Sequence, residues 1–149
     1  MAEWTSVAVQ TVNPGESIIF TDTQQSCNRG LILHRNDSGA FLLKGVSDTP
    51  QFGCRCMQNN VISYMADFGA NIAIPTGQTV GPISVAFTVD GNTLAGTTMT
   101  VTPAAVEEYF NIFRATNVGI WRGCCQTFGV RNTSEIPILV QGANLVLTK

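Results

Sequence analysis

Ile83-Ser84-Val85-Ala86-Phe87-Thr88-Val89-Asp90-Gly91-Asn92-Thr93-Leu94-Ala95-Gly96-Thr97-Thr98-Met99-Thr100-Val101 is the stretch whose reading decides the fold class. Val85, Phe87 and Val89 fall on one side of an extended chain and Ser84, Ala86 and Thr88 on the other, the two-residue period of a strand with one face in a core. Asp90-Gly91 supplies the left-handed backbone angles of a tight turn. The returning limb alternates again from Thr97 through Met99 to Val101, so a hairpin is predicted, with no catalytic group in it.

Working outward, similar signals recur. Val7 and Val9 alternate, Asn13-Pro14-Gly15 reads as a turn and Ile18 to Thr21 as a second strand, giving an N-terminal hairpin. Leu31 to His34 and Phe41 to Lys44 are two short strands around Asn36-Asp37-Ser38-Gly39, and Val46 to Phe52 is irregular. Cys54 to Ala66 is a longer extended run, continued from Phe68 to Ile74 but interrupted at Gly69 and Asn71, and closed by Pro75-Thr76-Gly77. Pro82 cannot donate to a ladder and belongs at a strand's start or on an edge. Thr102-Pro103-Ala104-Ala105-Val106-Glu107-Glu108 carries the one helical signal: a capping Thr102, Pro103 at the first position and two carboxylates near the positive end of the dipole. A third hairpin is expected from Phe110 to Phe113 with Asn117 to Trp121. The final pair is Cys124 to Asn132 with Ile138 to Leu147. About ten short strands, with at most one short helix near 103–108, fit an all-β, single-domain antiparallel jelly-roll sandwich over residues 1–149.

Composition narrows the class further. Only 12% of the 149 residues are charged, about half the usual share, while 44% are hydrophobic. So few charges predict that much of the surface is buried against other copies. Net charge is −2, with no run of Lys or Arg, which argues against nucleic acid as a partner. Met-Ala-Glu-Trp-Thr-Ser has no basic segment and no long apolar run follows it, so neither a signal peptide nor a membrane span is expected.

The candidate chemical groups do not assemble in the sequence. Cys27, Cys54, Cys56, Cys124 and Cys125 could form a zinc site with His34, but neither Cys-X-Cys nor adjacent cysteines is a good clamp, and buried thiols are the commoner outcome. A bond from Cys54 or Cys56 to Cys124 or Cys125 across strands is the less favoured alternative. The odd count leaves at least one thiol free or paired between chains. His34 is the only histidine, and at a strand end it reads as structural or solvent-facing. Glu107 and Glu108 are adjacent and diverge on a helix, which suits the dipole better than acid–base work. Asn36-Asp37-Ser38 and Asn132-Thr133-Ser134 match the glycosylation pattern but read as turn markers. Trp4, Tyr109, Phe113 and Trp121 could form a sugar-binding surface or fill core and subunit contacts, and the second is favoured. Leu145, Val146 and Leu147 put apolar groups on both faces of the last strand, which makes them the candidate oligomer interface. No catalytic, cofactor-binding or metal residue is expected, and the chain reads as a non-enzyme.

One resemblance is carried by the C-terminal half. Ile74-Pro75-Thr76-Gly77 through Val80-Gly81-Pro82-Ile83-Ser84, Val89-Asp90-Gly91, Val101-Thr102-Pro103-Ala104-Ala105-Val106, Arg122-Gly123-Cys124-Cys125 and Asn132-Thr133-Ser134 to Val140-Gln141-Gly142-Ala143-Asn144-Leu145 resemble a family of small proteins encoded beside structural genes in tailed bacteriophages and prophages of gut bacteria. More distantly, the Val-Asp-Gly hairpin and apolar last strand are similar to the trimeric, tumour-necrosis-factor-like heads of spore-surface collagen-like glycoproteins. The resemblance implies a virion component made in the host cytoplasm: a capsid decoration, head fibre or neck protein. Its partners would be itself, as a homotrimer, and other virion proteins such as the major capsid protein. The alternative it implies is a receptor- or carbohydrate-binding adhesion head, with a host-surface glycan as partner.

Overall fold

The computed structural model describes residues 1–26, 30–35, 37–46, 61–123 and 125–149. Twelve strands run through them: β1 Ala2–Ser6, β2 Gln10–Val12, β3 Asp22–Gln25, β4 Ile32–His34, β5 Phe41–Lys44, β6 Val61–Ala73, β7 Ile83–Val89, β8 Asn92–Thr93, β9 Met99–Val101, β10 Phe110–Trp121, β11 Cys125–Asn132 and β12 Ile138–Thr148. The first sheet is ordered β10-β6-β12-β1-β3, with β2 also on β12, and the second β4-β5-β11-β7-β8, with β9 also on β7. The strand pairings are antiparallel. This is the jelly-roll sandwich that the alternation predicts.

The hairpin at its centre forms as read. Asp90 and Gly91 both take positive φ, 49° and 77°, which reverses β7 into β8. The limb then steps through a single 3-10 turn at Ala95–Thr97 and returns to β7 as β9, pairing Ile83 with Val101 and Val85 with Met99. Thr97 Oγ1 accepts the Phe87 amide at 2.9 Å and so fills the gap between β8 and β9. Between the sheets, Phe20, Phe41, Phe68, Phe87 and Phe128 are fully buried with Tyr64, Ile72, Val130 and Leu145. Phe87 meets both Phe68 and Phe128 edge-on, across and within the sheets. The Tyr64 hydroxyl donates to the Lys44 carbonyl at 2.6 Å, so its polar end is satisfied inside the core.

Several local expectations are corrected. The first strand lies at 2–6 rather than at Val7 and Val9, which are 73% and 50% exposed in the connection to β2. Ile18 to Thr21 is no partner strand of that hairpin. Ile18 and Phe20 enter the core, Ile18 N donates to Val130 O, and the Gln10 side-chain amide stands in for a strand by bonding both Ile19 N and Ile19 O. Gly69 and Asn71 do not interrupt β6, which runs unbroken for 13 residues because Phe113 and Asn111 of β10 lie opposite them. Phe110–Trp121 is likewise one 12-residue strand, not a hairpin: Arg114-Ala115-Thr116 has no turn chemistry, and β6 offers a continuous partner.

The segment 103–108 is a bend and a turn, not a helix. Glu107 takes φ of 58°, its amide donates to Ile74 O at 2.8 Å, and the Glu108 carboxylate accepts the Ala104 and Ala105 amides. The Glu107 amide is the one that a helix would direct to the Pro103 carbonyl, and its bond to Ile74 O together with the left-handed φ ends the helical path, with Val106 drawn against the core. β11 and β12 both form but do not pair, since they lie in opposite sheets. Residues 133–137 therefore cross from one sheet to the other. Asn132 pins that crossing: fully buried, it donates to Val12 O at 2.9 Å and Ile136 O at 3.0 Å, and its Oδ1 accepts the Ser134 amide at 2.8 Å.

Candidate functional site

Two surfaces stand out. The first is the outer face of β10, β6 and β12. Strand alternation sends Ile112, Val118 and Ile120 of β10 into the core, so Asn111, Phe113, Ala115, Asn117, Gly119 and Trp121 point outward. The register sets Trp121 opposite Val61, Gly119 opposite Ser63, Asn117 opposite Met65 and Phe113 opposite Gly69. A Cβ at Gly119 would lie 2.7 Å from Val61 Cγ1, so the glycine is what lets Val61 lean across β10. Phe113 is 65% exposed and Trp121 57%, with Val61 and Met65 also exposed. Asn111 Nδ2 donates to Asn71 Oδ1 at 3.2 Å, and Asn144 Nδ2 to Glu3 Oε1 at 2.6 Å, tying neighbouring strands on this face. Asp67 and Glu3 bring the only charges to the described outer positions of β10, β6, β12 and β1. β10 is also the sheet's edge strand.

The second surface is a groove of about 480 Å³ at the end of the sandwich where the 133–137 crossing meets the chain entering β7. Thr79, Val80, Pro82, Ser84, Thr133 and Glu135 are among its lining residues, with Ser134 and Ile136 beneath. Ser134 Oγ accepts the Ser84 amide at 2.7 Å and donates to Ser84 O at 3.1 Å, continuing the β7–β11 ladder with a side chain. Ser84 Oγ and Thr133 Oγ1 face each other at 2.8 Å. This hydroxyl cluster left little trace in the sequence beyond Asn-Thr-Ser, whose glycosylation match is ruled out at Asn132 by burial of its amide.

The other expected site residues are distributed as follows. Leu145 and Leu147 point into the core of their own chain and are fully buried, so the candidate interface at Leu145, Val146 and Leu147 reduces to Val146, which is half-buried on the outer face beside Asp67. Trp4 is also interior, edge-on to Phe41 and His34, so it cannot join a surface with Phe113 and Trp121. Cys27, Cys54, Cys56 and Cys124 lie outside the described residues, while Cys125 is a free, exposed thiol. Glu107 and Glu108 diverge, the former accepting the Thr76 hydroxyl at 3.0 Å. Among the described residues no three His, Cys, Asp or Glu side chains converge.

His34 is half-buried, stacked on Phe41 at 4.2 Å, with Nε2 3.0 Å from Ser38 O. Since a carbonyl only accepts, Nε2 carries the hydrogen, and Nδ1 is buried without a partner. Burial lowers its pKa, against the raising effects of the Ser38 carbonyl and the Asp37 carboxylate. Asp90 is held below the usual carboxylate range by hydrogen bonds from Gln126 Nε2 and the Thr127 amide.

No protein-family model matches the chain, and no curated protein matches it. Among solved structures, the globular domain of a zebrafish complement 1qA protein superposes with a TM-score of 0.55 at 9% identity, covering 97% of this chain and 94% of that one. A Podospora anserina GH26-CBM35 β-(1,4)-mannanase (TM-score 0.39, 13% identity, 99% of this chain and 28% of that one) and the CBM22-1 xylan-binding domain of Paenibacillus barcinonensis Xyn10C (0.35, 12%, 99% and 86%) are looser likenesses that carry no argument. The chain thus has the jelly-roll fold of the complement C1q globular domain, which is also the tumour-necrosis-factor-like fold.

Proposed function

We infer that the chain is a non-enzymatic assembly and binding module that works as a homotrimer, with the outer face of β10, β6 and β12 as its subunit contact. The observation that carries this reading is the nearly uncharged outer face with Phe113, Trp121, Val61 and Met65 exposed on it. At about 3.3 Å per residue and about 4.8 Å between strands, three such strands present roughly 40 by 14 Å before side-chain relief is added. That is about 560 Å² of flat footprint, to which the relief of Phe113, Trp121, Val61 and Met65 adds toward the ~800 Å² per partner of a stable association. An edge strand of 12 residues is also a liability unless covered. The number three follows the resemblance to tumour-necrosis-factor-like trimeric heads, and a closed ring leaves no free heterologous surface. The C-terminal motifs favour a phage particle as its place, as a capsid decoration, head fibre or neck component.

Light scattering on the purified chain tests this. The expected mass is three chains, with Phe113→Asp combined with Trp121→Asp giving a folded monomer, since both side chains stand mostly outside the core. A wild-type monomer at all concentrations, or a double variant that keeps the wild-type mass, refutes the contact.

A further inference from the structure

We propose that the groove between the chain entering β7 and the 133–137 crossing binds a neutral, polyhydroxylated ligand, a sugar residue of a glycan. This deepens the adhesion alternative by giving it a place, and it is independent of the assembly face, since none of the groove's lining residues belongs to β10, β6 or β12.

The chemistry of the lining selects the ligand. Ser84 and Thr133 hydroxyls own two hydrogens and spend one between them at 2.8 Å, so one O–H and several lone pairs are left for a partner. A pair of hydroxyls in that state complements adjacent hydroxyls on a ligand, which can accept one hydrogen bond and donate another. Glu135 is exposed at the rim and adds a carboxylate that accepts from a ligand O–H, the stronger charge-assisted bond. No Lys or Arg lines the groove, and with Glu135 present a phosphate or carboxylate ligand would meet repulsion with nothing to offset it. Val80, Pro82 and Ile136 supply an apolar wall against which the C–H face of a sugar ring can lie. The volume of about 480 Å³ is within the range of small-molecule sites.

The site is also built in advance of any ligand. Ser134 bonds both the amide and the carbonyl of Ser84, Thr133 N donates to Ser84 O at 3.0 Å, and buried Asn132 holds Ser134 and Ile136 from below. A ligand therefore meets hydroxyls already fixed by the crossing that closes the sandwich, and little ordering cost is added on binding.

The test is an NMR titration of the isotope-labelled full chain with glucose, galactose, mannose and N-acetylglucosamine, with glucuronate as the anionic control. Saturating shifts confined to the amides of 79–81, 83–84 and 133–136, at roughly millimolar half-saturation for at least one neutral sugar, are expected. Glu135→Gln should weaken them by about five- to tenfold, and Ser84→Ala with Thr133→Ala should remove them while the backbone bonds keep the fold. Failure of every neutral sugar to shift these amides, equal binding of glucuronate, or undiminished binding by Glu135→Gln overturns the proposal. A monomeric chain that binds sugar would refute the assembly face and leave this site standing, and a trimer that binds none would do the reverse.

Discussion

Replacing Asn132 by alanine is expected to destabilise the fold more than any surface change, because one amide holds the two sheets together at their crossing. The substitution removes three hydrogen bonds, to Val12 O, to Ile136 O and from the Ser134 amide. A bond whose partner water can reach contributes about 1 kcal/mol net, and a buried partner left dry costs about 1–3 kcal/mol instead. Val12 is itself buried, as is Ser134, so at least two of the three orphaned groups stay dry. With two dry groups and one bond that water can replace, the expected loss is about 3–7 kcal/mol, a large part of the roughly 5–15 kcal/mol that a domain of this kind has. In a thermal melt this is a fall of about 10–20 °C for a chain of this length. Asn132→Asp is the sharper control: it keeps an acceptor for Ser134 N but turns a carboxylate toward two carbonyl oxygens, and should lose at least as much. Urea unfolding followed by far-ultraviolet circular dichroism reads both. A loss below about 1 kcal/mol for Asn132→Ala, or wild-type stability for Asn132→Asp, would show that the crossing does not depend on this amide.

Two further outcomes follow from other packed positions. His34 is less readily protonated in the folded chain than in the unfolded one, because burial lowers its pKa below the ordinary value of 6.5. The unfolded state then binds more protons, so the contribution of His34 is fully present above about pH 6.5 and is lost as pH falls below it. The urea midpoint should drop between about pH 7.5 and 5.5 in the wild type and stay flatter in His34→Gln, and equal pH dependence in the two chains would refute this. Gly39→Ala should cost about 1–3 kcal/mol by overpacking, since a Cβ there would lie 2.6 Å from Ser17 Cβ and 2.7 Å from Ile18 O. A variant within about 0.5 kcal/mol of wild type would show that the chain at Gly39 and the Ser17–Ile18 segment part easily.

Period-two alternation is a local property of the chain, and so the sequence by itself was enough for the sandwich and for its sharpest turn. Asp90-Gly91 carries its turn preference in its own residue types, and the two-residue period puts Val85 and Phe87 on one face. Other features depended on partners far along the chain. Nothing in Phe110 to Trp121 says that β6 will lie beside all of it, and nothing in Ile138 to Thr148 says that β12 pairs with β6, β1 and β2 instead of β11. Local helix signals at Thr102, Pro103 and Glu107 lost to the Ile74 carbonyl, which takes the Glu107 amide that a helix would direct to Pro103 O. Leu145 and Leu147 looked like interface because both faces of the last strand are apolar. Only the sandwich shows that those two face inward and that Phe113 and Trp121, eight residues apart on another strand, face out. The groove was least legible of all, because Ser84 and Thr133 are separated by 49 residues and become neighbours only when β7 pairs with β11 and the chain crosses between sheets.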